Sequence, residues 1–371
     1  MMSRFYPLLC TLALLFTACA RPADPFAGAS GDTPSADTVP AAVQQQADLS
    51  PIKRYLLDQT GVLQETTAAL NVEAGRYYAL AERYEFDYAR LWQTEAAAVV
   101  KTLQAAQAAW MQASPAYEKM EGIVAGTSAL ATYDLILDAG ASGAEDPQNA
   151  APVDLTLPDG RVLERPGNLF GVTESTLWGT EPDYTIAGVA ADWDGSGTVD
   201  FGETLPDANV LKAGAAALDR YAGELRAAAQ AWTPTPSDAF TMLVVMVPTM
   251  SEYFASWRDS RFIAGDRSTQ RDFVAISRLA DILDILGGLE LVYAQLRPLV
   301  ETVNPDQADQ IAADLAHLQS FVAGVYADEQ AGRRFTPEDA DLLGAEAQNR
   351  ATAITGEISQ IAAELGIPVA E

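Results

Sequence analysis

The stretch IAADLAHLQSFVAGV, residues 311–325, decides the fold. Its apolar residues recur at steps of four, three, four and three, which places them on one face of an α-helix. A narrow apolar face of this kind is typical of a helix packed in a bundle. The residues on that face are Ile311, Leu315, Leu318, Val322 and Val325.

Helical patterns of the same kind occupy most of the chain. Ala-rich segments with apolar residues three or four apart run from about residue 50 to about residue 138, and the pattern resumes near Asp207. The mostly apolar stretch 240–250 contains Pro248 and is too short to span a bilayer, which predicts a buried helix kinked at the proline. Thr336-Pro-Glu-Asp339 predicts the start of the last long helix, with a threonine N-cap. One face of the helix before residue 311 is predicted to carry Phe273, Ile276, Ala280, Leu283 and Gly287.

Residues 140–206 interrupt the helical pattern. Residues 153–157 alternate in polarity, Pro158-Asp-Gly160 predicts a turn, and residues 161–164 lead back, which together indicate a small β-hairpin. The predicted fold is therefore all-α. It has two helical bundles packed together, at 49–139 and 207–371, and a connecting insertion with the hairpin.

The insertion also contains a calcium-type loop, DWDGSGTVDFGE, at residues 192–203. Oxygen-bearing residues stand at the spacing of the ligands in an EF-hand loop, and Gly197 stands at the sharp turn of that loop. Since Pro182 and Pro206 flank the loop, we expect an isolated calcium-stabilised loop without the paired helices of a calcium sensor. The expected ligands are Asp192, Asp194, Ser196, the Thr198 carbonyl, Asp200 and Glu203.

The N-terminus has the features of an export signal. A short basic start and an apolar run are followed by Phe16-Thr-Ala-Cys19, which is similar to a bacterial lipobox. The sequence predicts a signal peptide at 1–18, lipidation of Cys19, and a flexible tether at 19–48 rich in Ala, Pro, Ser, Thr and Asp. We expect a lipid-anchored, extracytoplasmic protein of the bacterial cell envelope, periplasmic or at the cell surface.

The composition of the chain argues against several classes of function and of site. The 371 residues include 23 basic and 51 acidic side chains, a net charge of −28, which disfavours nucleic acid as a partner. The two cysteines are Cys10 and Cys19, so the exported protein has no disulfide. His317 is the single histidine, which excludes a zinc site built on several histidines and makes a Ser-His-Asp triad improbable.

Carboxylates are therefore the main candidates for chemistry. Glu118 and Glu121 are one helical turn apart, and Asp134 and Asp138 are similarly spaced, so each pair shares a helix face. Carboxylate oxygens are hard ligands that suit calcium, magnesium, manganese or ferric iron. In a chain with so many acids, a solvated helix face is the alternative interpretation of either pair.

Two stretches resemble the imelysin-like family. LQAAQAAW at 103–110, followed by Tyr117 and Glu121, is similar to the first-bundle segment of that family. ESTLWG at 174–179 is similar to the end of its G-x-H-x-x-E segment, and the two stretches occur in the family's order. The resemblance implies an all-α fold of two bundle halves with a site at their junction.

The family includes proposed metallopeptidases and the periplasmic component of EfeO-type iron uptake. Glu174 matches the glutamate of the motif, but Gly171 stands where the family has histidine, which argues against a peptidase. Glu121 matches the acid of the first segment, and Glu118 adds an oxygen donor one turn earlier. The stretches 121–128 and 133–140 also resemble algal low-iron-inducible, iron-assimilating periplasmic proteins.

Three functions follow from these observations. The first is iron binding for uptake, at a carboxylate site formed by Glu118, Glu121 and Glu174 with Asp134 or Asp138, with ferric iron as the cargo. The protein would pass the ion to an iron transporter of the inner or outer membrane. The second is an imelysin-like metallopeptidase, and the third is a structural surface lipoprotein stabilised by calcium.

Overall fold

The computed structural model describes residues 47–370. The predicted signal peptide at 1–18, the lipidation site Cys19 and nearly all of the tether at 19–48 lie outside the described residues. Within the described residues the fold is all-α with one small two-stranded sheet, as the sequence predicts.

The first bundle is built on two long helices. Helices α1 (Ser50–Arg83) and α2 (Tyr88–Ala125) pack along each other and are joined by a four-residue link. Asp87 caps the start of α2 by accepting a hydrogen bond from the Arg90 N–H. Apolar residues recur in α1 at helical spacing, so they form one face of the helix, and this face is fully buried in the bundle. They include Ile52, Leu56, Leu63, Leu70, Ala74 and Tyr77.

Two short helices continue the chain after α2. Helix α3 (Ala131–Asp134) runs directly into a π-helical turn, Leu135–Ala139. Helix α4 (Leu169–Trp178) begins at the N-cap Asn168, whose side chain accepts a hydrogen bond from the Gly171 N–H. Helix α4 contacts α2 and the π-helical turn, so all three lie around one region of the bundle.

The second bundle lies farther along the chain. Its helices are α6 (Pro236–Met246), α7 (Met250–Asp259), α8 (Arg261–Ala264), α9 (Arg278–Glu301), α10 (Pro305–Gln330) and α11 (Pro337–Glu364). Its central helix α9 contacts α10 and also α2 of the first bundle, and α11 packs against α7 and α10. The predicted apolar face of α10 is buried at all five positions. The predicted N-cap Thr336 forms a capping box with Asp339.

The kink at Pro248 is present. Between α6 and α7 the chain forms a 3-10 turn, Val247–Thr249, in which Pro248 leaves helical geometry. By length and composition alone the segment Pro236–Arg267 could cross a membrane, but 56% of its most apolar window is buried inside the protein. Its apolar residues therefore belong to the core of the bundle.

Two expectations about element boundaries differ from the structure. Helix α5 (Ala208–Ala231) packs against α1, so it completes the first bundle, whereas the sequence pattern assigned it to the second. The predicted helical face beginning at Phe273 is wrong at its start, because α9 begins at Arg278 after the N-cap Ser277. Phe273 has a φ of +55°, which is not helical. Its N–H bonds to a side chain from α4 instead of a helical carbonyl.

The insertion contains the predicted hairpin. Strands β1 (Leu155–Thr156) and β2 (Val162–Leu163) pair antiparallel, with Leu155 opposite Leu163. Gly160 closes the turn at a φ of +90°, which glycine adopts without strain. No helix directly borders the stretch 192–203: the 3-10 turn Pro182–Tyr184 precedes it, and α5 begins at Ala208.

Candidate metal centre

Three buried carboxylates meet between the bundles. Glu118 and Glu121 from α2 and Asp138 from the π-helical turn each offer an oxygen, and these oxygens lie within 4.8 Å of one another. The residues are only 1%, 4% and 4% exposed. Within the described part of the chain, Glu118 Oε2, Glu121 Oε2 and Asp138 Oδ2 have no hydrogen-bond partner. Buried oxygens without donors are costly, and a cation would satisfy all three together.

Local structure explains why these residues meet. Glu118 and Glu121 are three residues apart on α2, so both point from the same face. The π-helical turn that carries Asp138 packs against α4, and wide turns of this kind are frequent at functional sites. Of the predicted iron ligands, the structure thus brings Glu118, Glu121 and Asp138 into one cluster.

A buried arginine lies beside the cluster. Arg278, the first residue of α9, is 6% exposed, and its Nη1 donates a 3.0 Å hydrogen bond to Asp281 Oδ2. The same Nη1 is 3.6 Å from Glu118 Oε1. Sequence reasoning missed both Arg278 and Asp281. Their i, i+3 spacing on a helix was the only signal for them, and such pairs are usually solvated.

Two tyrosines bind the neighbouring carboxylates. The Tyr253 hydroxyl, from α7, donates a 2.7 Å hydrogen bond to Glu121 Oε1. The Tyr117 hydroxyl donates a 2.7 Å hydrogen bond to Asp134 Oδ1. Asp134 is buried next to the three-carboxylate cluster but is outside it. The structure therefore places Asp134, which was predicted as a ligand, beside the three-carboxylate cluster and bonded to Tyr117.

Burial makes Glu118, Asp134 and Asp138 hard to ionise without a cation. Desolvation raises the pKa of Glu118 well above its usual range, with a further contribution from the charge of Asp281. Burial likewise raises the pKa of Asp138 well above its ordinary value, although Arg278 acts in the opposite sense. Burial and the Glu121 charge raise the pKa of Asp134 to about 7. A positive ion in the cluster would reverse this preference for the protonated forms.

Glu174 has a different role from the one predicted. Its Oε2 accepts a 2.6 Å hydrogen bond from the Phe273 N–H, and its Oε1 accepts bonds of 2.9 and 2.8 Å from the N–H groups of Val274 and Ala275. Burial raises its pKa to about 8, although these three donors favour the charged form. Glu174 is not one of the three clustered carboxylates. It joins α4 to the loop that leads into α9.

A cavity of about 370 Å³ opens next to the cluster. Glu121, Asp138 and Arg278 line it, so an ion in the cavity can reach the carboxylates. Near its rim Arg271 Nη1 is 2.6 Å from Glu181 Oε2, and Arg271 also pairs with Glu145. The remaining lining is mostly small or acidic. It includes Gly140, Ser142, Asn168, Gly171, Glu252 and Asp272.

The cavity has no imidazole among its lining residues. Gly171 lines it at the position where the family resemblance implies histidine. His317, the single histidine of the chain, lies on α10 with a side chain that is 70% exposed. The site can therefore offer oxygen ligands but no histidine base.

The calcium-type loop forms a second acidic cluster. Oxygens of Asp192, Asp194 and Glu203 lie within 4.8 Å of one another. Asp192 accepts hydrogen bonds from the N–H groups of Gly195, Ser196 and Gly197, and these donors lower its pKa. Ser196 Oγ, Thr198 and Asp200 stand close together in the same loop. The loop is thus folded back on itself around its acidic residues.

Comparison with known protein families assigns the chain to one of them. The family model described as Imelysin matches residues 56–358, which include the three clustered carboxylates, Glu174 and the calcium-type loop. No curated protein matches the chain.

Proposed function

Because the chain belongs to the imelysin family, we propose that it binds iron for uptake at Glu118, Glu121 and Asp138. The observation that carries this proposal is the set of three unpartnered oxygens on buried, adjacent carboxylates. An all-oxygen ligand set favours a hard cation, and ferric iron is the hard form of the metal. The cavity beside Glu121 and Asp138 supplies a route from solvent.

The position of the site supports a carrier role. The ligands come from α2 and the π-helical turn, while the neighbouring Tyr253 and Arg278 come from the second bundle. A small shift between the bundles would alter the ligand geometry and release the ion. The cargo would pass to an iron transporter of the inner or outer membrane.

The cellular setting is part of the same proposal. Lipidation of Cys19 after removal of residues 1–18 would anchor the protein to the envelope, and the tether at 19–48 would hold the helical body away from the membrane surface. We expect a Cys19→Ser variant to leave the membrane fraction; a variant that still carries a lipid and stays with the membranes would contradict this anchor.

The calcium-type loop has a separate role in this proposal. Its ligand spacing and its folded-back backbone support calcium binding at residues 192–203. Because the loop follows α4 and precedes α5, a bound ion would fix the connection within the first bundle. The peptidase alternative receives less support, since the cavity lining has no histidine to act as a base.

Isothermal titration with ferric citrate tests the iron site. We expect the Glu121→Ala/Asp138→Ala variant to lose affinity by more than about 100-fold, since partners outside the ligand shell alone are worth about 10–100-fold. Glu252→Ala is the matched control, because Glu252 lines the cavity but is outside the cluster. Equal affinities in the wild type and the double variant would refute the site.

A further inference from the structure

Arg278 places a positive charge among the carboxylates of the proposed iron site. Its guanidinium carbon lies 3.7 Å from the ring centroid of Phe273 and 4.7 Å from that of Tyr253. These rings hold the cation by cation–π attraction as well as by packing. Since Arg278 is almost fully buried, its charge acts on the site with little screening by water.

Asp281 compensates that charge. Its Oδ2 accepts the 3.0 Å hydrogen bond from Arg278 Nη1, whereas Glu118 Oε1 is 3.6 Å from the same nitrogen. The shorter contact makes Asp281 the partner of the arginine. Glu118, Glu121 and Asp138 each keep an oxygen without a hydrogen-bond donor in the described structure.

The charge of the loaded site follows from these contacts. Carboxylates that bind a metal are deprotonated. Arg278 and Asp281 then cancel each other, and the three ligand carboxylates together carry three negative charges. A trivalent ion leaves this buried group neutral, whereas a divalent ion leaves one negative charge uncompensated, which is costly away from water.

We propose that Asp281, by neutralising Arg278, preserves the preference of the three-carboxylate site for trivalent over divalent cations of similar size. This inference rests on the proposed iron site and explains how that site would favour ferric iron by charge. Asp281 acts as a specificity-determining residue, since it offsets the charge of Arg278 without belonging to the three-carboxylate cluster. Loss of Asp281 would leave the arginine charge to oppose the incoming ion.

The test compares Tb³⁺ with Ca²⁺, two hard ions of similar radius and different charge. All titrations use the Asp192→Ala background, so that the calcium-type loop does not contribute. We expect Asp281→Asn to lower the ratio of Tb³⁺ to Ca²⁺ affinity by about tenfold or more, because the site then carries one negative charge fewer. An unchanged ratio in this variant would overturn the proposal.

The double variant Arg278→Gln/Asp281→Asn is the matched control. It removes both charges of the pair, so the ratio should return to the wild-type value; a ratio that stays at the Asp281→Asn value would also overturn the proposal. Should Asp281→Asn fail to fold, Arg278→Gln alone should raise the ratio. Ferric binding by the wild type tests the proposed function separately, because a site can bind iron and still fail to discriminate by charge.

Discussion

Asp272 fills the space beside Gly171, where Asp272 Oδ2 is 2.8 Å from the position that a Cβ on Gly171 would take. Asn168 Oδ1 is 3.0 Å from the same position, and it accepts a 2.6 Å hydrogen bond from the Gly171 N–H. Gly171, at the position where the resemblance implies histidine, therefore has two polar side chains beside it, and their oxygen atoms line this space.

Introducing a histidine at position 171 should consequently destabilise the protein. Gly171→His would push its Cβ against Asp272 and Asn168, and overpacking of this kind costs about 1–3 kcal/mol. Urea unfolding of the metal-free protein measures the loss. The Gly171→His/Asp272→Ala variant should recover part of it, because the shorter side chain frees space. Equal stability of Gly171→His and the wild type would show that the pocket has room for the ring.

Replacement of Glu174 should affect stability more than iron binding. In Glu174→Gln, an amide NH₂ would face backbone N–H groups of the loop 273–275, and each buried donor left unsatisfied costs about 1–3 kcal/mol. Thermal unfolding should show the loss, while ferric affinity should change far less than in Glu121→Gln. If Glu174→Gln instead weakens iron binding as much as Glu121→Gln, Glu174 is a ligand after all.

The helices of this protein could be predicted from local patterns. The spacing from Ile311 to Val325 and the Thr336 N-cap depend only on residues near in sequence, and both are confirmed. The start of α9 could not be predicted, because the N–H groups after Asp272 are captured by Glu174, a residue about a hundred positions earlier. The spacing of apolar residues cannot reveal that a distant side chain accepts the hydrogen bonds of these N–H groups.

The site, too, could be predicted only where it depends on residues close in sequence. Glu118 and Glu121 share a helix face, which follows directly from their spacing of three residues, and Asp138 was among the candidates. Arg278 and Asp281 belong to a helix more than a hundred residues away, so their approach to Glu118 depends on how the two bundles pack. Asp134 was predicted as a ligand from its spacing with Asp138, and Glu174 was predicted because it matches the glutamate of the family motif. In the structure they bind Tyr117 and the loop at 273–275 instead.

The metal-free protein should lose stability as the pH rises from about 4 to about 7. Asp134 has a pKa of about 7 in the folded protein and an ordinary value of 3.8, so in this window the folded state binds more protons than the unfolded state. One pKa unit is worth about 1.4 kcal/mol, so the shift from 3.8 to about 7 corresponds to about 4 kcal/mol over the whole window, and a smaller part of it falls between pH 5 and pH 8. Urea unfolding with a chelator, at about pH 5 and about pH 8, measures it.

Asp134→Asn is the control for this pH dependence. Asparagine cannot ionise, so the variant should lose less stability than the wild type between the two pH values. The Tyr117 hydroxyl can still donate to the side-chain oxygen, which keeps the local packing. An identical pH dependence in both proteins would assign the effect to other buried acids, such as Glu174, and contradict the role given to Asp134.

Calcium should stabilise the protein through the loop at 192–203. A ligand present at about 100 times its Kd raises the free energy of unfolding by about 2.7 kcal/mol, which would appear as a higher melting temperature in millimolar calcium. Asp192→Ala should abolish most of this increase, because Asp192 both supplies a ligand oxygen and accepts the N–H groups of Gly195, Ser196 and Gly197. Asp183→Ala removes an exposed acid just before the loop and should leave the increase intact. A calcium effect that is equal in both variants would mean that the ion binds elsewhere.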